Sequence, residues 1–299
     1  MTTGTVATSS RSLHERSSNA VARNRKDLAI RIFLYLTMAT ALVPLVAILA
    51  VTLVQGLGAI SLDFLFENPP FNPGTEGGGY APAIVGSIYM TGLAILLSVP
   101  LGIAAAVFLV EYKDSFLAKP VRFFTDVMTG VPSVFVGLFI FSALVVDADL
   151  FFGSLPGAAA LAVLMLPIVV RSSEEVLRLV PQDLRSASSG LGARHWQTIV
   201  RVVVPAAAPG LATSSMLAVA RGMGETAPLL FTALGAREIV LALNGTPQGA
   251  LPLQILDEGR QALPAAVERA WAGSLTLMAL VLFFTVAARL VARRSQFAD

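Results

Sequence analysis

The chain contains no cysteine. Disulfides, thiolate metal sites and cysteine nucleophiles are therefore excluded, and cysteine usage says nothing about redox compartment. Charge is scarce too. Only 13% of the 299 residues are charged while 55% are hydrophobic, against about 25% and about 45–50% in soluble domains. So little charge does not cover the surface of a water-soluble protein of this length. Lys and Arg total 21 against 19 Asp and Glu, so no nucleic-acid partner is indicated. Two histidines, His14 and His195, are too few for a histidine metal cage, and no metal or cofactor is expected. No stretch matches GxxxxGK followed by Ser or Thr, the loop that cradles ATP phosphates. No paired nucleophile and base falls in an apolar run, so an enzyme is not expected either.

What the chain does have is long uncharged runs. A helix needs roughly 20 apolar residues to cross a bilayer core of about 30 Å. Six runs qualify: Ile32–Val54, Gly77–Val110 with its helix starting near Ala83, Val127–Val146, Leu150–Val170, Val202–Ala220 with apolar character resuming over Thr226–Ala236, and Ala270–Ala288. These predict an all-α membrane protein with six transmembrane helices. A seventh run, Ile239–Leu256, carries Asn244, Gly245, Pro247, Gly249 and Pro252. Helix breakers in mid-run leave backbone groups that lipid cannot satisfy, so this run reads as an external loop or a re-entrant piece packed in protein.

Basic residues orient the spans. Seventeen of them fall in the N-terminal region, the second-to-third and fourth-to-fifth connections and the C-terminal end, against three (Arg237, Arg260, Arg269) on the opposite side. Both termini are therefore expected on the cytoplasmic side. Residues 1–29 are Ser/Thr-rich and basic and read as a disordered cytoplasmic tail. A membrane domain follows over 30–299.

The connection between spans four and five is the most informative stretch. Pro181-Gln182-Asp183 reads as a helix start with its acid near the positive dipole end. Leu184, Ala187 and Leu191 share a face. Ser186, Ala187, Ser188 and Ser189 are small and let another surface approach. Gly190 and Gly192 permit a sharp turn. A second short helix would carry Trp196, Ile199, Val200 and Val203 on one stripe. Such a segment either lies on lipid or meets a partner. Upstream, Glu174 and Glu175 read as a solvated face or a partner contact.

Arg221 and Glu225 lie within the fifth apolar segment. A charge at the bilayer centre costs roughly 2.5–3.5 kcal/mol on insertion scales, so such residues face a protein interior or water. Two readings stay open: an internal ion pair tying two helices together, or an arginine offered to a passing oxyanion, with Glu225 fixing its rotamer. A planar guanidinium suits an oxyanion through paired hydrogen bonds. Thr226 is adjacent. Ser133 in the third span either lines a path or bonds its own helix. Gly77–Gly79 offer amides to an anion or form a flexible outer loop.

Several stretches carry a resemblance. Ser186-Ala187-Ser188, Gly192 and Val202-Val203-Val204-Pro205 are similar to the cytoplasmic signature loop of ABC-importer permeases, E-A-A-x-x-x-G followed by a spacer and I-x-L-P. Ser186 stands where that family has its glutamate, which removes the usual acidic contact to the ATPase. Arg185 and Arg194 are the nearby charges available to offset it. RGMGETAPLLFTAL (Arg221–Leu234) resembles the A-type permeases of the high-affinity phosphate importer. So do EGGGYAPAIVGSIYMT (Glu76–Thr91), GVPSVFVGL (Gly130–Leu138) and LPIVVRSSEEVLRLVP (Leu166–Pro181).

The resemblance implies a type I ABC-importer (MetI-like) permease core over about 83–294, with a cytoplasmic coupling loop over 171–204, in the bacterial inner membrane. It implies as partners two ATP-binding subunits, a homologous C-type permease and an extracytoplasmic phosphate-binding protein. Ser186, Ala187, Ser188, Gly192 and Pro205 would then couple to the ATPase. Arg221, Glu225, Thr226 and Ser133 would line the substrate path. A permease for sulfate or molybdate and a passive anion channel are the competing readings.

Overall fold

A computed structural model describes residues 18–294, and the chain divides into two compact units at Val51/Thr52. The first unit is helical. Helix α1 (Ser18–Ala59) runs through it, so residues 18–29, expected within the tail, are helical, while 1–17 lie outside the described residues. Its apolar side chains, among them Leu28, Phe33, Val43 and Val46, are exposed. The Thr37 and Thr40 hydroxyls donate to the Leu34 and Leu36 carbonyls of the same helix (2.9 and 2.8 Å). From Ile32 to Val54 the helix is apolar all round and keeps its polar groups to itself, which suits lipid.

In the second unit, Ser61 caps α2 (Leu62–Phe66) by accepting from the Phe64 amide. Then come α3 (Ala81–Glu111), α4 (Ala118–Gly130), α5 (Ser133–Ile140), which continues as a π-helical stretch over Phe141–Asp147, and α6 (Ser154–Arg178). After α7 (Gln182–Gly190), α8 (His195–Thr198) runs through a second π-helical stretch, Ile199–Val203, into α9 (Val204–Met223). The short α10 (Ala227–Thr232) and α11 (Leu251–Gly259) precede α12 (Pro264–Arg294). Among the described residues, five helices are long and apolar enough to cross a membrane, and six if the bent pair Ala118–Gly130 and Ser133–Asp147 counts as one.

The third span expected over 127–146, which Gly130, Pro132 and Gly137 allow to kink, is this pair. It bends by 106° because Pro132 holds an extended backbone (φ −61°, ψ 137°) and forces its neighbour out of the helix. The fourth span extends beyond Val170 to Arg178, which places Arg171 and Arg178 on helix rather than loop. The second short helix expected around Trp196 begins at His195 and runs without a break into the fifth span expected from Val202. The run 239–256 does not span: no helix covers 239–250, and α11 has nine residues, about 13 Å. Its backbone is satisfied within protein. The Leu251 amide donates to the Ser87 Oγ (2.8 Å), the Leu155 amide to the Leu243 carbonyl (2.7 Å) and the Gln248 amide to the Ala233 carbonyl (2.9 Å).

Helix α6 is the most buried of the long helices. Lipid supplies no hydrophobic drive between helices, so close approach through small residues matters most. Gly157, Ala158, Ala160 and Ala162 supply it in α6. Met90 of α3, Met165 of α6, Val219 and Met223 of α9 and Leu229 of α10 fill one core cluster. Ala106, Leu177, Val203 and Leu211 form a second toward the α7 end, and Phe64, Tyr80, Leu251 and Ala272 a third toward the α11 end.

Candidate functional site

The fifth apolar segment is broken, and the break carries the charges. Helix α9 ends at Met223, and the chain resumes as α10 at Ala227 with Thr226 in its N-cap position. Gly222 is buried against Met165, so α9 reaches the break pressed onto α6. Arg221 lies about 24 Å along the helix axis from Pro205. Its Nη2 is 3.3 Å from Glu225 Oε1. The arginine side chain is 62% exposed and the glutamate 14%. The pair therefore joins the end of α9 to the linker behind it, and the guanidinium faces outward from the unit. It does not tie two packed helices together.

A cavity of about 510 Å³ opens beside the break. Gly224 and Thr226 line one side, and Ile255, Leu277, Met278 and Ser274 the other. Arg221 is not among its lining residues, so the cavity itself is chiefly apolar.

Ser133 begins α5, which packs on α10. A Cβ built on Gly137, one turn further along, would sit 2.6 Å from Pro228 Cα, so only glycine allows that approach. Gly137→Val should push α5 off α10 and cost about 1–3 kcal/mol of overpacking strain. A lower unfolding midpoint of the purified protein would show it; an unchanged midpoint would mean that the contact is slack.

At the α7 end, Pro181 stands in the N-cap position of α7 and Asp183 in its first turn, as the sequence suggests. None of the nine residues of α7 is buried, and Leu184 and Leu191 point outward. Ser186 and Ala187 are exposed as well. Ser188 is half-buried, its hydroxyl 2.9 Å from that of Thr198. Gly192 turns the chain with φ +83°, and Pro205 is exposed at the start of α9. The stripe expected on the second helix splits. Ile199 and Val203 are buried while Trp196 and Val200 are exposed, because the π-helical turns shift the register. Arg185 does not face outward beside Ser186. It turns inward, donating from Nε and Nη2 to Glu111 Oε1 (3.2 and 2.8 Å), and to the Val180 and Leu177 carbonyls.

Two further charge clusters are visible only in three dimensions. Glu174 is buried, unlike exposed Glu175, so the expected solvated face holds for one of the two. Arg122 of α4 donates to Glu174 Oε1 (2.8 Å), Arg178 donates to the same oxygen, and Arg171 lies near Oε2 while pairing with Asp126 at 2.8 Å. The i,i+4 spacing of Glu174 and Arg178 and the i,i+3 spacing of Arg171 and Glu174 were the sequence signals available. At the α11 end, buried Arg269 donates to Glu258 Oε2 (3.3 Å) and to the carbonyls of Pro73, Thr75 and Gly77. The Tyr80 hydroxyl donates to the same Glu258 oxygen at 3.0 Å. Burial, with the Glu258 carboxylate alongside, pushes that hydroxyl well above its ordinary range. In the glycine loop, Arg269 straps the Gly77 carbonyl and the Gly79 amide is spent on the Asn68 carbonyl (3.1 Å).

Residues 98–296 match the family described as binding-protein-dependent transport system inner membrane component. The phosphate transport system permease protein PstA 1 of Mycobacterium tuberculosis is 36% identical over 271 residues, 90% of this chain and 89% of the relative. The phosphate transport system permease protein PstA of Yersinia pestis is 38% identical over 283 residues, 93% and 94% of the two chains. Among solved structures, an inward-facing MetNI methionine ABC transporter superposes with a TM-score of 0.61 at 19% identity, covering 72% of this chain and 95% of that one. That likeness shows the fold. The matched segment and the relatives establish that the chain belongs to the family of binding-protein-dependent transport system inner membrane components.

Proposed function

We propose that this chain is the membrane-spanning permease subunit of an ATP-driven phosphate importer, moving phosphate inward by alternating access. The choice of phosphate rests on relatives that match about nine-tenths of the chain and are phosphate permeases by name. Arg221 supplies the fitting chemistry. A guanidinium exposed on a membrane helix is costly against lipid, so its surroundings in the assembled transporter are protein or water. It is held toward that side by Glu225. Thr226 and Ser133 complete the proposed path on the two neighbouring helices, α10 and α5.

In this reading the partners are a homologous C-type permease, two ATP-binding subunits and an extracytoplasmic phosphate-binding protein. Both termini and α7 are cytoplasmic, by the 17-to-3 division of basic residues. The exposed face of α7, with Ser186, Ala187 and Ser188, the Gly192 turn and Pro205, meets the ATPase over the coupling loop 171–204. The core spans about 83–294 within a membrane domain over 30–299.

Purification from the native membrane followed by uptake in proteoliposomes tests this. An ATPase and a second permease should co-purify, and labelled phosphate should enter only with ATP. Excess unlabelled phosphate should compete, and sulfate or molybdate should not. Competition by sulfate or molybdate would move the substrate to another oxyanion. Conductance by the chain alone would point to a passive channel.

A further inference from the structure

Helix α7 raises a mechanical question. None of its residues is buried, so side-chain packing does not hold it to the membrane helices. A segment that receives force from outside must nevertheless pass it on. Arg185 is the side chain of α7 that reaches inward. It is 14% exposed, and its partner Glu111, the last residue of α3, is 7% exposed. The guanidinium spans three elements at once: Glu111 Oε1 on α3 (2.8 Å), the Leu177 carbonyl in the last turn of α6 (3.3 Å) and the Val180 carbonyl between α6 and α7 (2.8 Å).

The second arm of the segment converges on the same carboxylate. His195 of α8 places Nε2 at 4.0 Å from Glu111 Oε2 and stands edge-on to the Tyr112 ring, centroids 5.4 Å apart. The Ser188–Thr198 hydroxyl contact closes α7 onto α8. The far end of α3 is also tied. Ser87 accepts from the Leu251 amide (2.8 Å), and Tyr80, its N-cap residue, donates to Glu258. Helix α3, 31 residues long, thus runs about 46 Å with a polar clasp at each end.

We propose that Glu111 is the positioning residue through which the α7–α8 segment moves α3, with Arg185 as the tie. The proposal rests on the reading of this chain as an ATP-driven permease. A half-buried pair whose guanidinium also satisfies two carbonyls is rigid enough to transmit displacement, whereas exposed ion pairs contribute little. The arrangement is a physical link; energetic coupling through it is the point to be measured.

The experiment compares the reconstituted transporter carrying Arg185→Glu, Glu111→Arg, or both together, reading ATP hydrolysis and phosphate uptake in the same vesicles. Each single variant should hydrolyse ATP while the phosphate moved per ATP falls about 10-fold or more, within the range of ordinary coupling energies. The charge-swapped double variant should recover part of that ratio, since it restores the ion pair but not the donors to the Leu177 and Val180 carbonyls. Arg185→Gln, which keeps a donor for the carbonyls, serves if Arg185→Glu does not assemble, and should lower the ratio too. An unchanged ratio in assembled single variants, with only a lower unfolding midpoint, overturns the proposal and leaves the pair a structural staple. No recovery in the assembled double variant also overturns it. Failure of the unmodified transporter to take up phosphate with ATP refutes the underlying reading instead.

Discussion

Arg221→Ala should lower phosphate uptake by about 100-fold in a transporter that still assembles. The magnitude follows from losing charge-assisted hydrogen bonds to an oxyanion, up to about 3 kcal/mol, at 1.4 kcal/mol per tenfold. Assembly should survive because the side chain is largely exposed and its ion pair with Glu225 lies on the surface of the unit; such pairs contribute on the order of 0–1 kcal/mol to stability. Arg221→Lys keeps the charge but loses the planar fork, and should fall between the two. Glu225→Gln should cost less than Arg221→Ala, because it loosens the arginine without removing it. Uptake of labelled phosphate per assembled complex is the measurement. Full uptake by Arg221→Ala would remove the residue from the path.

Arg269→Ala should instead destabilise the protein, by about 3–5 kcal/mol. The arginine and its partner Glu258 are both nearly inaccessible, with side chains 6% and 8% exposed. Removing one member of a buried pair strands the other charge. Here it also strands the carbonyls of Pro73, Thr75 and Gly77. The unfolding midpoint of the purified protein should drop by on the order of 10 °C. Arg269→Lys should rescue only in part, since three donors on a point charge cannot reproduce the fork that reaches two carbonyls from Nη1 and one from Nη2. A midpoint unchanged in Arg269→Ala would mean that the strap over residues 73–77 is held by its turns alone.

These two arginines show how far a linear reading reaches. Arg221 was legible because a charge inside an apolar run is anomalous at any depth in lipid. Arg269 was not: with Arg237 and Arg260 it counted only as one of three basic residues on the outer side. Nothing in its neighbourhood in the sequence reveals that Glu258 and the carbonyls of a loop nearly two hundred residues earlier surround it. Glu111 and Glu174 escaped for the same reason. Each sits at or near the end of an apolar helix, where an acid looks like an interfacial boundary residue, and each is joined by an arginine from another element, Arg185 of α7 or Arg122 of α4.

Helix bounds followed a similar division. The apolar runs located α1, α3, α6 and α12, since about 20 uncharged residues in succession leave a bilayer helix as the economical solution. The breakers within 239–256 correctly excluded a span. Gly130, Pro132 and Gly137 signalled a kink in the third span, but the size of the bend, 106°, and the π-helical turns after α5 and α8 were not legible, because they depend on how the helices pack.

The sequence by itself determined that this is a multi-span α-helical membrane protein of the importer-permease family. It also located the anomalous Arg221–Glu225 pair and the α7 segment, because charge scarcity, run length and motif spacing are properties of the chain alone. Tertiary structure decided which charges are buried and with whom. It turned Arg185 inward to Glu111 where the sequence placed it beside Ser186 as an outward charge. Desolvation and pairing depend on distances between residues far apart in the chain, and only the path that brings the ends of α3 and α6 beside α7 sets those distances.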